Sequence, residues 1–124
     1  MREKIHIVEA VIESGNLVLI PNQEVEIAHL LPKEQVIVDS DNVSFIYLAE
    51  NVESYTYIFL PEAIWASLKQ AMEERLPVML KSGDKKLELP SIYEELTYLI
   101  DNIEGNGNYG EEFVAKVEQM FIPV

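Results

Sequence analysis

Cysteine is absent from this 124-residue chain, and histidine occurs only twice. The absence of thiols excludes cysteine nucleophiles, disulfide frameworks and thiolate metal sites, and it fits a reducing compartment. Long apolar runs are also missing: the N-terminal stretch MREKIHIVEA is interrupted by charges, and no run approaches the ~18 residues of a membrane span. We therefore expect a cytoplasmic protein with no signal peptide and no membrane partner, folded as one domain over residues 1–124.

Basic side chains are scarce. The chain has 9 Lys and Arg against 22 Asp and Glu, which gives a net charge of −13 at pH 7. Such a surface repels nucleic-acid phosphates and anionic lipids, and this argues against nucleic acid as a partner. Solubility is the simplest interpretation of the charge. Two alternatives stay open: attraction of a basic partner protein, and mimicry of a polyanion.

The pattern of the chain predicts an α+β fold. Its first half consists of short apolar runs separated by turn signals such as Ser14-Gly15, which favours an antiparallel meander. Its second half shows helical periodicity after Pro61, around Trp65 as a core anchor, and again after a capping-box pattern at Ser91. We predict a mostly antiparallel sheet of about six to eight short strands, of barrel-like or sandwich-like form, with one helix after the hairpin of residues 43–60 and two C-terminal helices.

The hairpin of residues 43–60, here called the aromatic hairpin, is apolar on both faces. A two-residue turn at Asn51-Val52 places Val43, Phe45, Tyr47, Ile58 and Leu60 on one face and Ser44, Ile46, Leu48, Tyr55, Tyr57 and Phe59 on the other. Because a half-solvated hairpin would alternate with polar residues, we expect both faces to be covered. Closure of the sheet, a homodimer contact and a pocket lined by tyrosines each explain the pattern.

The candidate interaction surface follows from this hairpin and from the charge of the C-terminal segment. It comprises Tyr47, Tyr55, Tyr57 and Phe59 on the aromatic hairpin, and Glu111 and Glu112 at the start of the last helix.

The stretch GNGNYG at residues 105–110 matches the letters of a dinucleotide-binding loop. That loop needs a strand before the glycines, a helix after them and a second strand beyond. Here a helix precedes the glycines, and the carboxylates of Glu111 and Glu112 would repel a phosphate. We therefore predict a joint between two helices, with Gly105 ending the first and Asn108 capping the second. No nucleotide cofactor is expected.

Asp39-Ser40-Asp41-Asn42 is the best candidate for a metal site. Its carboxylates and amide could hold Mg²⁺ or Ca²⁺, but the further ligands of a calcium-binding loop are missing. Asp and Asn are also preferred in turns, and we favour that interpretation. His6 and His29 lie on separate predicted strands without metal-ligand spacing. The sequence thus predicts no catalytic, metal or cofactor-binding residue.

Two segments resemble a known family. VIVDSDNVSFIYLAE at 36–50 and YLIDNIEGNGNYGEE at 98–112 are similar to the corresponding segments of the YjbL-like family of small bacterial proteins. The resemblance extends from about Val36 to Phe121 and is weaker before Val36. Family members read NIEGNANYGEE at the second segment, with alanine at the position of Gly107, which a true dinucleotide loop would not tolerate. Since no activity is assigned to the family, the resemblance implies a cytoplasmic bacterial protein and no catalytic residue.

Two functional hypotheses follow. The preferred one is a non-catalytic interaction protein that binds an unknown protein or a second copy of itself, through the aromatic hairpin or the acidic C-terminal helices. The alternative is an enzyme dependent on a small ligand or a divalent metal, with Asp39 and Asp41 among its ligands. An acidic decoy for a nucleic-acid-binding protein is a third possibility.

Overall fold

The computed structural model describes residues 3–122, which contain seven strands and three α-helices. The strands are β1 (Glu3–Glu13), β2 (Asn16–Pro21), β3 (Leu31–Asp39), β4 (Ser44–Glu50), β5 (Tyr55–Pro61), β6 (Val78–Ser82) and β7 (Lys85–Glu88). The helices are α1 (Trp65–Glu74), α2 (Ile92–Ile103) and α3 (Glu111–Phe121), and 3₁₀ turns at Glu62–Ile64 and Gly107–Tyr109 lead into α1 and α3. The predicted α+β class and the positions of the three helices are confirmed. Among residues 3–122, no helix has the length and apolarity needed to cross a bilayer.

All seven strands form one sheet in the order β3-β4-β5-β1-β2-β6-β7. Four neighbouring pairs are antiparallel, but β1 runs parallel to β5 and β2 runs parallel to β6. The sheet is therefore mixed, although mostly antiparallel as predicted. Both parallel pairs join strands that are distant in sequence, so the short loops that indicated a meander carried no information about them.

A β-bulge in β1 curls the sheet. Residues Glu3–His6 pair with β5 and residues Ile7–Glu13 pair with β2, and the register shifts between Ile7 and Glu9. Before the bulge the odd-numbered Ile5 and Ile7 face the core, whereas after it the even-numbered Ala10 and Ile12 do. A bulge inserts one residue and bends its strand. The result is a half-barrel rather than a closed barrel or a sandwich.

The three helices cover one side of this sheet, which we call the inner face; the opposite side is the outer face. Trp65 is fully buried at the start of α1, and its indole N–H donates to the carbonyl of Leu60 at 3.0 Å. The rings of Phe45, Phe121 and Phe113 lie 5.3, 5.5 and 6.1 Å from the Trp65 ring, between centroids. The predicted role of Trp65 as a core anchor is confirmed, and the aromatic cluster joins β4 to α1 and α3.

The start of α2 differs from its predicted capping box. The helix does begin at Ile92, but Ser91 adopts a left-handed conformation, with φ 65°, and its side chain caps no backbone N–H. Its hydroxyl instead donates to a carboxylate oxygen of Glu34 at 2.6 Å, which ties α2 to β3. The capping pattern located the helix correctly and misassigned the hydrogen bond.

The stretch GNGNYG is a joint between helices, as predicted. Gly105 follows α2 with φ +68°, and its N–H donates to a carboxylate oxygen of Glu118 on α3 at 2.7 Å. The predicted cap of α3 is wrong, however: Gly110, not Asn108, occupies that position. The side chain of Asn106 caps the intervening 3₁₀ turn by accepting the N–H of Asn108 at 3.0 Å. A helix before the glycines leaves no strand–loop–helix unit for a dinucleotide.

Tyr93 on α2 makes stability sensitive to alkaline pH. Its hydroxyl donates to the carbonyl of Leu76 at 2.6 Å, and burial raises the pKa of Tyr93 to about 12. A tyrosine in the unfolded chain titrates near pH ~10. The stabilising contribution is therefore complete below about pH 10 and is lost as the pH rises towards about 12, because the unfolded chain loses the proton first.

We expect the urea midpoint to fall above about pH 10, and Tyr93→Phe to make that fall less steep. Part of the fall should remain, because burial also raises the pKa of Tyr47. The matched control is Tyr98→Phe, since Tyr98 is exposed on the same helix; its curve should follow that of the wild type. If Tyr93→Phe gave the wild-type curve as well, this account of Tyr93 would be wrong.

Candidate interaction surface

Three apolar side chains and the imidazole ring of His6 form a continuous row across the outer face. The strand registers pair Ile37 with Ile46, Ile46 with Phe59, and Phe59 with His6, so the row crosses β3, β4, β5 and β1. The ring of His6 stacks on Phe59 with 4.7 Å between centroids and 23° between planes. One pleat further along, Leu48 lies opposite Tyr57.

This row lies outside the core that the helices cover. Ile46 and Phe59 are only 4% and 7% exposed, yet neither belongs to the buried cluster in which β4 and β5 pack against α1 and α3. Their half-buried neighbours Ile37, Leu48 and Tyr57 flank them on the same face. The two apolar sets predicted for the aromatic hairpin are therefore confirmed: one set is the core, and the other is a second apolar surface on the opposite side of the sheet.

The structure brings together three of the four aromatic residues named for the interaction surface. Tyr55, Tyr57 and Phe59 share the outer face, and Tyr55 is 50% exposed at its edge beside Glu50. Tyr47 does not lie with them. It is fully buried on the inner face, where its hydroxyl donates to the carbonyl of Pro90 at 2.7 Å. Burial raises the pKa of Tyr47 far above its ordinary value, so this residue belongs to the core.

The acidic pair lies elsewhere. Glu111 and Glu112 are exposed in the first turn of α3, where the helix dipole stabilises carboxylates. Since Phe113 on the same helix packs against Phe45, α3 lies on the inner face. The pair and the outer face are thus two separate surfaces on opposite sides of the sheet.

Charged residues border the outer face on the sides of β1 and β4. Lys4 lies beside Tyr57 in the register of β1 and β5, and Lys33 bonds Glu50 at 3.3 Å. Glu9 follows the bulge on the outward-facing side of β1. The apolar row therefore has a polar border, which is the usual anatomy of a protein–protein interface.

The segment proposed for a metal is a turn. The carboxylate of Asp39 accepts the backbone N–H of Asn42 at 3.3 Å and its side-chain amide at 2.8 Å. Within residues 3–122, no three acidic or imidazole side chains come together in a way that could hold a metal ion. The preference for a turn at residues 39–42 agrees with the two hydrogen bonds that Asp39 accepts.

Comparison with known proteins identifies the family. The family described as a family of unknown function, UPF0738, matches residues 5–121. The chain belongs to the UPF0738 family. The UPF0738 protein YjbL of Bacillus subtilis (strain 168) is 39% identical over 98% of this chain and all of its own length. A UPF0738 protein of Bacillus cytotoxicus is 40% identical with the same coverage, and one of Bacillus cereus (strain G9842) is 42% identical over 82% of each chain. No solved structure matches the chain.

The UPF0738 match confirms the resemblance expected from the two motif segments and extends it. Because it begins at residue 5, it includes β1 and β2, although the two motif segments predict weaker similarity before Val36. The family assigns no activity, so the residues of the outer face have to be interpreted from their geometry. Sequence reasoning missed His6 as a member of the apolar row, since its contact with Phe59 depends on the parallel pairing of β1 with β5.

Proposed function

We propose that this UPF0738 protein is a cytoplasmic, non-catalytic interaction protein that binds a partner protein through the outer face of its sheet. The observation that supports the proposal is the row from Ile37 to His6 on the side opposite the helices, in which Ile46 and Phe59 are buried while His6, and Tyr55 beside the row, are exposed. Contiguous apolar patches with polar borders are typical of protein-binding sites on soluble proteins. Tyr55 and Tyr57 add the aromatic side chains that often dominate such interfaces.

Charge selects the kind of partner. The chain carries a net charge of −13, so two copies docked face to face would bring together two strongly negative molecules. The border of the outer face itself carries charges of both signs, with Lys4 and Lys33 beside Glu9 and Glu50, so the preference comes from the net charge of the whole chain. The occupant that fits best is therefore a protein with an apolar contact surface and a positive net charge. Nucleic acids and anionic membranes are disfavoured for the same reason.

Site-specific photo-crosslinking in Bacillus subtilis cells tests the proposal. A photoreactive phenylalanine in place of Tyr55 should give one discrete adduct with a basic protein. The same group in place of Tyr98 is the matched control, because Tyr98 is 68% exposed on α2, away from the outer face; it should not give that adduct.

The purified partner then provides the decisive measurement. Tyr55→Asp should weaken its binding at least about tenfold, as expected for an interface aromatic, whereas Tyr98→Asp should leave the affinity unchanged. Equal affinities for the two variants would reject the outer face as the binding surface. A dimer of this chain that Tyr55→Asp dissociates, detected by sedimentation, would retain the surface and replace the proposed partner with a second copy.

A further inference from the structure

A pocket opens at one end of the inner face, away from the aromatic cluster. It lies between the first residues of β1, the β2–β3 loop (22–30), the β4–β5 turn (51–54) and Thr56 on β5. Its volume of about 320 Å³ is at the low end of the range for small-molecule sites. Both chain segments that form its walls are held by hydrogen bonds, so the pocket is preformed.

Two side chains hold these walls. The hydroxyl of Ser82 accepts the N–H of Val25 at 2.8 Å and donates to the carbonyl of the same residue at 2.7 Å, which fixes the β2–β3 loop to β6. The side-chain oxygen of Asn51 accepts the N–H groups of Glu53 and Ser54, both at 2.9 Å, which fixes the β4–β5 turn. A preformed wall spares a ligand the cost of ordering it.

The interior of the pocket is apolar except at Thr56. Ile5 and Leu30 are buried there, and Val25 is half-buried. Thr56 alternates with the outward-facing Tyr55 and Tyr57, so its side chain points to the inner face, where the pocket lies. It is 1% exposed, and its hydroxyl is the one buried side-chain polar atom within residues 3–122 that has no hydrogen-bond partner there. Buried hydroxyls are almost always paired, and an unpaired one destabilises the fold.

The rim of the pocket is acidic. Glu3, Glu26 and Glu53 line it together with the imidazole of His29, and no Lys or Arg among residues 3–122 belongs to the lining. The N–H of Ala28 donates to Glu26 at 2.8 Å, and with the nearby Lys85 it lowers the pKa of the Glu26 carboxyl, which is therefore ionised at neutral pH. Lys85 approaches this carboxylate only to 3.8 Å and lies outside the lining. A cationic group of a ligand would find three carboxylates here, with the imidazole of His29 beside them.

We propose that this pocket binds a small organic amine whose ammonium group pairs with the rim carboxylates and whose apolar body lies against Ile5, Val25 and Leu30. A hydrogen-bonding group at the far end of the ligand reaches the hydroxyl of Thr56. The site lies on the inner face and is independent of the outer-face interaction proposed above.

Three probes separate the contribution of the ammonium group from that of the distal hydroxyl. Each probe is titrated into the full chain, and binding is followed by NMR. Tyramine has an ammonium group, an apolar ring and a hydroxyl; phenethylamine lacks the hydroxyl; 3-(4-hydroxyphenyl)propionate carries a carboxylate in place of the ammonium group. Tyramine should bind saturably and shift the resonances of pocket residues, with phenethylamine weaker and the anionic probe not binding. Equal binding of tyramine and the anionic probe, or no binding of either amine at millimolar concentration, would overturn the proposal.

Thr56→Val tests the inner contact because it removes the hydroxyl at nearly constant shape. The affinity for tyramine should fall at least about fivefold, whereas that for phenethylamine should change by less than about twofold. Without any probe, the variant should have a raised Tm, because an unpaired buried polar group is removed. A lowered Tm, or an equal loss for both amines, would show that Thr56 does not act as proposed.

The rim is tested by the double variant Glu26→Gln with Glu53→Gln. It should weaken tyramine and phenethylamine alike, since both depend on the ammonium group. Glu73→Gln with Glu104→Gln, at two exposed positions outside the pocket, makes the same change in net charge and should leave both affinities unchanged. An equal effect of this control would mean that overall charge, not the rim, attracts the amines, and would reject the site.

Discussion

Trp65→Ala is expected to lower the free energy of unfolding by about 3–5 kcal/mol, the range for truncation of a large buried aromatic side chain. Trp65 is fully buried, so the substitution leaves a cavity among Phe45, Phe113 and Phe121. It also leaves the carbonyl of Leu60 without the indole N–H that donates to it at 3.0 Å. The aromatic cluster joins the sheet to α1 and α3. Loss of the cluster should therefore also lower the protection of the backbone amides of both helices against hydrogen exchange.

Urea unfolding followed by circular dichroism measures this loss without depending on the tryptophan itself. Trp65→Phe should cost less, since it keeps most of the buried volume and loses chiefly the hydrogen bond. Tyr98→Ala, at an exposed position of α2, should stay within about 0.5 kcal/mol of the wild type. A cost below about 1 kcal/mol for Trp65→Ala would show that the cluster is not a close-packed part of the core.

The aromatic hairpin shows how far the sequence determined the fold. The predicted two-residue turn at Asn51-Val52 is wrong, because residues 51–54 connect the strands. Since the loop is longer by two residues, the alternation of faces is unchanged and both apolar sets were predicted correctly. The same alternation placed Tyr47 with Phe45 on the side that became the core. Its inclusion among surface residues followed its chemical type rather than its position, and the burial of Tyr47 shows that position was the better guide.

The contacts that could not be predicted are those between distant segments. The bulge after Ile7 lets β1 leave β5 and join β2, and no local pattern specifies this exchange of partners. His6 meets Phe59, and Thr56 lies beside Glu3 at the pocket, because the first residues of β1 pair with β5. Local sequence patterns predicted the strands, the helices and the faces of the aromatic hairpin. Both proposed sites instead depend on how β1, β5 and the β2–β3 loop assemble in space.

The joint at residues 105–110 leads to a second expected result: Gly110→Ala should cost about 1–3 kcal/mol of folding free energy. Gly110 caps α3 with φ 92° and ψ 133°, a backbone conformation that is accessible essentially only to glycine. A Cβ at this position would meet no atom within 4 Å, so the cost comes from the backbone and not from a clash. Urea unfolding of the variant measures it directly.

The other two glycines of the same stretch are the controls. Gly105 has φ +68°, a left-handed conformation in which alanine costs about 1 kcal/mol. Gly107 has no positive φ and open space around it, so Gly107→Ala should be nearly neutral. A dinucleotide loop would need all three glycines for its ligand, whereas a helix joint ranks them by backbone conformation, with Gly110 costing most and Gly107 least. Equal costs at Gly110 and Gly107 would contradict that conformation, and with it the account of this stretch as a joint between α2 and α3.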